Sequence, residues 1–138
     1  GSFSDCLHMS AELTGRFLKE RDSYPSIVLG SNGSSITAIS NDYGYEFCFS
    51  RELQALGIKG DVFIGISTSG KSQNIINAIQ VCRKRKIKTI CLTKENYPKK
   101  LKKLCNVVLG VPAQRVDRIQ EMHIFIGHII CEILEQSL

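Results

Sequence analysis

The sequence contains no apolar run long enough to cross a bilayer, and its first residues lack the basic and apolar zones of a signal peptide. These absences predict a soluble, cytoplasmic protein with no membrane partner. The six cysteines form no C-x-x-C pair, so a disulfide framework is not expected and a reducing compartment is favoured. Internal repeats, low-complexity stretches and linkers are also missing. The 138 residues therefore predict one domain, 1–138, with a single core.

Acidic residues are scarce in one part of the chain, whose formal net charge is +5. Residues 83–103 hold ten Lys or Arg against a single acid, Glu95. This run is typical of a solvated helix end and loop, and the alternative is a surface for an anionic partner. Only one aromatic residue, Tyr97, lies among these charges, whereas nucleic-acid surfaces usually interleave the two types. We therefore expect no nucleic-acid function.

Strands and helices alternate after Asp61, which predicts a parallel sheet with helices on its faces. The hydrophobic pattern predicts three strands and three helices in this half: strands at 62–66, 87–92 and 107–111, and helices at 72–85, 99–104 and 114–136. The last helix is apolar around most of its circumference. We therefore expect it to be buried, against another subunit.

The first half of the chain has a less regular pattern. Ser4 or Asp5 can cap a helix that reaches about Arg21, and Ser26–Leu29 is predicted to form a short strand. A polar turn then leads into two short helical segments, at residues 36–40 and 45–56.

Residues 61–74 run from an apolar strand into a hydroxyl-rich turn that opens onto a helix. Such a turn attracts an anion through its backbone N–H groups and the helix dipole, and Gly70 permits a tight turn. Four hydroxyl groups can add donors, those of Ser67, Thr68, Ser69 and Ser72. The pattern favours a sugar-phosphate site over an ordinary capped turn. It also matches the nucleotide P-loop motif G-x-x-x-x-G-K-[ST], but Gly65 falls within the strand and no later strand ends in a magnesium-binding Asp. We regard that match as accidental.

Polar residues suited to metal binding and proton transfer occur on the first and last predicted helices. His8 and Glu12 are four residues apart and project from one helix face. On the last helix, four polar residues lie within a few turns of one another: Gln120, Glu121, His123 and His128. Two such helices can meet to hold a metal or to transfer protons, although a His with a nearby Glu is often a simple surface pair.

Four segments together resemble the phosphoheptose isomerases, a family with the sugar isomerase (SIS) fold: S-F-S-D-C-L-H-M-S-A-E-L-T-G-R-F, T-A-I-S-N-D-Y-G-Y-E, G-D-V-F-I-G-I-S-T-S-G-K-S-Q-N and R-I-Q-E-M-H-I-F-I-G-H-I-I-C-E. The resemblance covers essentially the whole chain. It implies a flavodoxin-like three-layer α/β sandwich, with a parallel sheet flanked by helices, that assembles as a homotetramer. Only Gly1-Ser2 of the family's usual G-N-G-G-S loop is present, and a preceding helix and strand are missing, so we expect the domain to be N-terminally incomplete.

The resemblance also implies an activity, the interconversion of sedoheptulose 7-phosphate and D-glycero-D-manno-heptose 7-phosphate through an enediol. This reaction belongs to the synthesis of activated heptose for lipopolysaccharide or another glycan. Catalysis is assigned to Glu12 and His128, with Asp117 expected to contact the sugar or order the site. A zinc ion is assigned to His8, Glu12, Gln120 and His128. The phosphorylated seven-carbon sugar is assigned to Ser2, Asn41, Asp42, Ser67, Thr68, Ser69, Ser72 and Gln120.

The alternative within the same fold is a non-catalytic SIS protein that binds phosphosugars or the bacterial replication initiator. Such relatives are expected to lack ionisable residues at the positions of Glu12 or His128, and this chain has both. The basic run at 83–103 is the only feature that favours this alternative.

Overall fold

The computed structural model describes residues 1–137. Its elements follow in the order α1 (Ser2–Thr14), α2 (Gly33–Tyr43), a 3₁₀ turn (Tyr45–Phe47), α3 (Cys48–Leu56), β1 (Val62–Ile66), α4 (Gln73–Arg85), β2 (Lys88–Lys94), α5 (Lys99–Leu104), β3 (Val107–Val111) and α6 (Val116–Ser137). None of these helices, within the described residues, has both the length and the apolar character that a membrane span requires.

The three strands found in residues 1–137 form one parallel sheet in the order β1-β2-β3. In this register Ile64 pairs with Ile90, Ile66 with Leu92, and Leu92 with Leu109. Each connection between strands passes through a helix, as parallel pairing requires. β2 is the most buried strand because it is central, with a neighbour on each edge and helices on both faces.

Helices cover both faces of the sheet, which confirms the predicted three-layer α/β architecture. On one face, α1 and α6 contribute Met9 and Ile130 to a cluster around Ile66. On the other face, α4 packs Ile79 against Cys91 of β2, together with α5. α3 packs against the outer side of this layer through its contacts with α4.

α1 and α6 lie side by side and run in the same direction. Gly1 lies against the side chain of Gln120, and Met9 lies against Gly127. A Cβ atom at Gly127 would come within 2.9 Å of Met9 Cγ and Sδ, so glycine is needed for the helices to approach this closely. The buried stripe of α6 repeats every four residues, at Ile119, His123, Gly127, Cys131 and Glu135.

Two predictions for the first half of the chain are wrong. The first helix ends at Thr14 instead of about Arg21. Arg21 folds back and donates to the carbonyl groups of Glu12 and Leu13 at the helix end, and the Leu13 carbonyl also accepts from the Tyr24 N–H. The strand expected at Ser26–Leu29 has no ladder partner within residues 1–137. A hydrogen-bonded turn begins at its third residue, which leaves too short an extended run for pairing.

The last helix is only partly buried within one chain, and its predicted burial against another subunit stays a prediction. It begins at Val116 rather than Gln114, and within one chain it buries a single stripe. Phe125, Ile129 and Ile133 are 64%, 40% and 54% exposed. Burial of α6 around most of its circumference is therefore not achieved by this chain alone.

Candidate active site

The hydroxyl-rich loop joins β1 to α4 at the carboxyl edge of the sheet. The hydroxyl groups of Ser67 and Ser72 are hydrogen-bonded to each other at 2.9 Å. The Lys71 N–H donates to Ser69 Oγ at 3.1 Å, and Gly70 takes a φ of 66° that closes the turn. Hydrogen bonds within the loop therefore hold three of the four predicted hydroxyl donors in one turn.

The start of α4 is suited to an anion. Its N-cap residue, Ser72, makes no side-chain capping hydrogen bond, and no acid lies in its first turn. The first N–H groups of a helix have no partner within the helix, so those of Gln73 and Asn74 face the loop with the positive end of the dipole. Thr68, the fourth predicted donor, is tied to the end of β2 because its carbonyl accepts from the Lys94 N–H at 3.3 Å.

Gly65 lies inside β1, where it pairs with Cys91, and not in the turn. A Cβ atom there would lie 3.0 Å from Phe63 Cε1 and 3.1 Å from Ile75 Cγ2, so this glycine serves the packing of α4 on β1. A P-loop requires its first glycine in the phosphate-binding turn. The structure therefore gives the nucleotide interpretation no support.

His8, Glu12 and His128 come together where α1 packs against α6. One ligand atom from each lies within 4.8 Å of the others, the only such group of three found in residues 1–137. His8 Nε2 and Glu12 Oε1 are 3.0 Å apart, and the Nε2 atoms of the two histidines are 3.4 Å apart. The two imidazole rings meet edge to face, with centroids separated by 5.0 Å. This trio can hold a metal ion or pass a proton.

Gln120 and Ser2 lie nearer the start of the helix pair than the trio does. The side chain of Gln120 packs against Gly1, next to the first residue of α1. Gln120 precedes His128 by eight residues, which is about 12 Å along a helix. Because α6 begins at the carboxyl edge of the sheet, Gln120 and Ser2 lie nearer the edge that carries the hydroxyl-rich loop.

Three predicted sugar contacts are exposed. Asn41 and Asp42 lie on the last turn of α2, and Asp117 lies on the first turn of α6. Among the hydrogen bonds described for residues 1–137, none joins these side chains to the loop or to the trio. Asp117 instead pairs with Arg115 at 2.6 Å. The roles of these residues toward a sugar remain predictions.

Glu135 fastens the segment after α1 to the end of α6. It is 5% exposed, and its carboxylate accepts the backbone N–H groups of residues 17–19 at 2.8 to 3.0 Å and Arg21 Nε at 2.8 Å. Burial opposes ionisation, but these donors outweigh it and hold the pKa of Glu135 at about 2. This clamp places the ring of Phe17 on that of His128, with centroids 5.5 Å apart and planes inclined by 25°.

A second buried polar pair consists of Asp5 on α1 and His123 on α6. His123 is fully buried, and neither of its ring nitrogens has a hydrogen-bond partner within the described residues. Asp5 Oδ2 is also buried without a partner there. Burial lowers the pKa of His123 and raises that of Asp5, and neighbouring groups only partly offset these shifts. Both shifts favour the uncharged forms.

Sequence reasoning missed the roles of Phe17 and Glu135 and treated Asp5 only as a helix cap. A signal for Glu135 was present, since an acid and His123 occupy the four-residue repeat of the buried α6 stripe. No comparable signal marks Phe17. Its position depends on a hydrogen bond to a residue 118 positions away in the chain.

Comparison with known proteins shows which family the sequence matches. The SIS domain model matches residues 1–94. The chain is 49% identical over 137 residues to the phosphoheptose isomerase of Nitratiruptor sp., covering 99% of this chain and 73% of the relative. It is 47% identical to that of Aneurinibacillus thermoaerophilus, covering 100% of this chain and 69% of the relative.

Solved structures give the same result. The phosphoheptose isomerase structure from Neisseria gonorrhoeae matches with a TM-score of 0.89 at 37% identity, over 99% of this chain and 72% of that one. The phosphoheptose isomerase structure from Francisella tularensis matches with a TM-score of 0.92 at 33% identity, also over 99% and 72%.

Substitution of Glu135 tests the clamp. Glu135→Gln removes the charge that accepts four donors, so we expect the melting temperature at pH 7 to fall by several degrees. The folded-state pKa of about 2 lies below the ordinary 4.5, so the stabilisation is present above pH 4.5 and is lost as the pH falls toward 2. Thermal melts from pH 7 to 3 should show the two proteins converging. Glu132→Gln, an exposed neighbour, is the control, and equal melting temperatures at pH 7 would contradict the clamp.

Proposed function

The chain belongs to the phosphoheptose isomerase family of SIS-domain proteins, and from that premise we propose that it interconverts sedoheptulose 7-phosphate and D-glycero-D-manno-heptose 7-phosphate. The observation that carries the proposal is the convergence of His8, Glu12 and His128 between two helices. The names of the relatives support the substrate class. The non-catalytic alternative has no support, since both ionisable residues that it is expected to lack are present and adjacent.

The reaction needs a base for a weakly acidic C–H group and an acid for the carbonyl oxygen. In the ketose-to-aldose direction, Glu12 removes a proton from C1 while His128 donates one to the oxygen on C2, which gives the enediol. His128, which has lost its proton to the C2 oxygen, then takes the proton from the C1 oxygen, and Glu12 returns its proton to C2, which gives the aldose and restores both side chains. His8, 3.0 Å from Glu12 Oε1, orients the carboxylate, and the ring of Phe17 restrains that of His128.

We propose zinc as the metal of this site. Two imidazoles and one carboxylate are typical zinc ligands, and three protein ligands leave one position open for substrate. Gln120 lies about 12 Å along α6 from His128, so the described chain does not bring it to the trio, and its role as a fourth ligand stays a prediction. Zinc, when bound, polarises the carbonyl group and stabilises the negative charge of the enediolate. Glu12 would then be both a zinc ligand and the catalytic base, and binding to the metal would make its carboxylate a weaker base.

We propose that the hydroxyl-rich loop, with Ser67, Thr68, Ser69 and Ser72, binds the substrate phosphate, with Ser2 beside it. We call it the phosphate loop. The uncapped, acid-free start of α4 supports this role. Asn41, Asp42 and Gln120 are the proposed contacts of the sugar hydroxyls. Binding energy gained at the phosphate, far from C1 and C2, fixes the reacting carbons against the trio.

We further propose that the protein is a cytoplasmic homotetramer. The exposed apolar residues of α6 would be covered by a second copy, which supports assembly. The six cysteines are all free, which fits a reducing compartment.

Removal of the proposed base tests the mechanism. Glu12→Gln keeps the size of the side chain but cannot accept a proton, so we expect kcat for heptose phosphate formation to fall by at least about 100-fold. NMR of the sugar phosphates measures the rate. Glu20→Gln, on an exposed side chain, is the control and should retain activity. Full activity in Glu12→Gln would remove this residue from the mechanism.

The phosphate loop is tested through substrate binding. Ser72→Ala removes one hydroxyl from the proposed phosphate contacts, and we expect kcat/KM to fall by about tenfold. The control, Ser31→Ala, alters a serine in a different turn. If both variants matched the unaltered protein, the loop would not be the phosphate site.

Zinc binding is tested without an activity assay. Saturating zinc should raise the melting temperature of the metal-free protein by a few degrees, and magnesium, which prefers oxygen ligands, should not. His8→Ala removes one ligand and should abolish the shift. A shift that persists in His8→Ala would mean that zinc binds elsewhere.

The assembly is tested by light scattering. We expect a particle of about four times the 15.4 kDa chain mass. Phe125→Asp introduces a charge on the exposed face of α6 and should produce smaller species, while Glu132→Gln should not. A monomer at micromolar concentration would contradict the proposal.

A further inference from the structure

A concave site away from the proposed active site, which we call the basic cavity, lies at the edge of the sheet where β2 begins. It has a volume of about 500 Å³. Its lining comes from the end of α4, the start of β2, the end of α5 and the loop before β1: Lys59, Arg83, Lys86, Ile87, Lys88, Lys103, Leu104, Cys105 and Asn106. None of these residues belongs to the proposed active site.

Five of the nine lining residues are cations, and none is an acid. The ion pairs described for residues 1–137 involve none of the five. Convergent like charges repel one another and raise the local concentration of anions. The cavity therefore presents positive charge that the described part of the chain does not neutralise.

One of the five cations, Lys86, has a backbone conformation that is unfavourable for residues other than glycine. Lys86 has φ 60° and ψ 35°, the left-handed conformation that ends α4, and it is the only non-glycine residue in 1–137 with a positive φ. Glycine or asparagine is the usual residue at such a position. The lysine instead adds a fifth ammonium or guanidinium group to the cavity.

We propose that the basic cavity binds a small anion that carries two or more phosphate groups. Its volume lies in the range of small-molecule sites, which is about 300 to 1,000 Å³. One phosphate would contact only part of the cationic lining, whereas linked phosphates engage both the planar fork of Arg83 and the point charges of the lysines. The lining contains no aromatic side chain on which the bases of a single-stranded nucleic acid could stack.

This site is separate from the phosphate loop. Lys88 begins β2 and Lys94 ends it, so the two sites lie at opposite edges of the sheet, roughly 20 Å apart by the rise of a strand. α4 connects them, from its start at the loop to its end beside Lys86. The anion in the basic cavity therefore does not compete with the sugar phosphate for the loop.

The experiment is calorimetry on the full chain with inorganic pyrophosphate, ADP and inorganic phosphate, at low and moderate salt. We expect pyrophosphate and ADP to bind more tightly than phosphate and to weaken as salt increases. Lys86→Gln/Lys88→Gln/Lys103→Gln should weaken pyrophosphate binding by at least about tenfold. The matched control, Lys84→Gln/Lys99→Gln/Lys102→Gln, removes the same charge outside the lining and should change the affinity by less than about twofold. Melting curves check that each variant is folded.

A Ser72→Ala protein separates the two anion sites, because it should bind pyrophosphate as the unaltered chain does. Loss of binding in Ser72→Ala would move the anion to the phosphate loop and overturn the proposal. Equal losses of pyrophosphate affinity in the two triple variants would show that only diffuse charge attraction holds the anion, which would overturn the proposal. Tighter binding of a 20-nucleotide single-stranded RNA than of pyrophosphate, abolished by the lining substitutions, would make the cavity part of a nucleic-acid surface. Absence of pyrophosphate binding at millimolar concentration would also overturn the proposal.

Discussion

The parallel packing of α1 against α6 is the constraint on which the candidate active site depends. His8 and Glu12 share one face of α1, but His128 reaches them only because Gly127 allows close approach of the helices at Met9. At the far end of the pair, the clamp formed by Glu135 holds the segment after α1 in place. A small residue at the crossing and a buried carboxylate at the end therefore align groups that lie more than 100 residues apart in the chain.

The sheet supplies the second part of the arrangement. Parallel strands direct the β1–α4 loop to the carboxyl edge, and the free start of α4 gives that edge its affinity for an anion. The first residues of α1 and Gln120 lie at the same edge, while the trio lies further along the helix pair. Phosphate binding and proton transfer are thus assigned to different regions, so substrate affinity and chemistry can be altered separately.

Much of this fold follows from local sequence patterns. The strand and helix alternation after Asp61 is reproduced to within about two residues, because each element carries its own periodicity and turn residues. The structure of the first half could not be predicted from local patterns, because contacts with residues distant in the sequence determine it. Arg21 ends α1 by capping its carbonyl groups, and Glu135 fixes the residues before it. The spacing of His8 and Glu12 predicts a shared face, whereas their contact with His128 depends on how two helices pack. The resemblance to a family supplied that pairing in advance.

A double-mutant cycle on kcat/KM tests most directly whether α1 and α6 build one catalytic site. The proteins are Glu12→Gln, His128→Asn and the combination, each checked for folding and assembly. If the two residues act as a unit, the double variant will be about as impaired as the worse single variant. If the two losses multiply, or if either single variant is fully active, the shared site is contradicted.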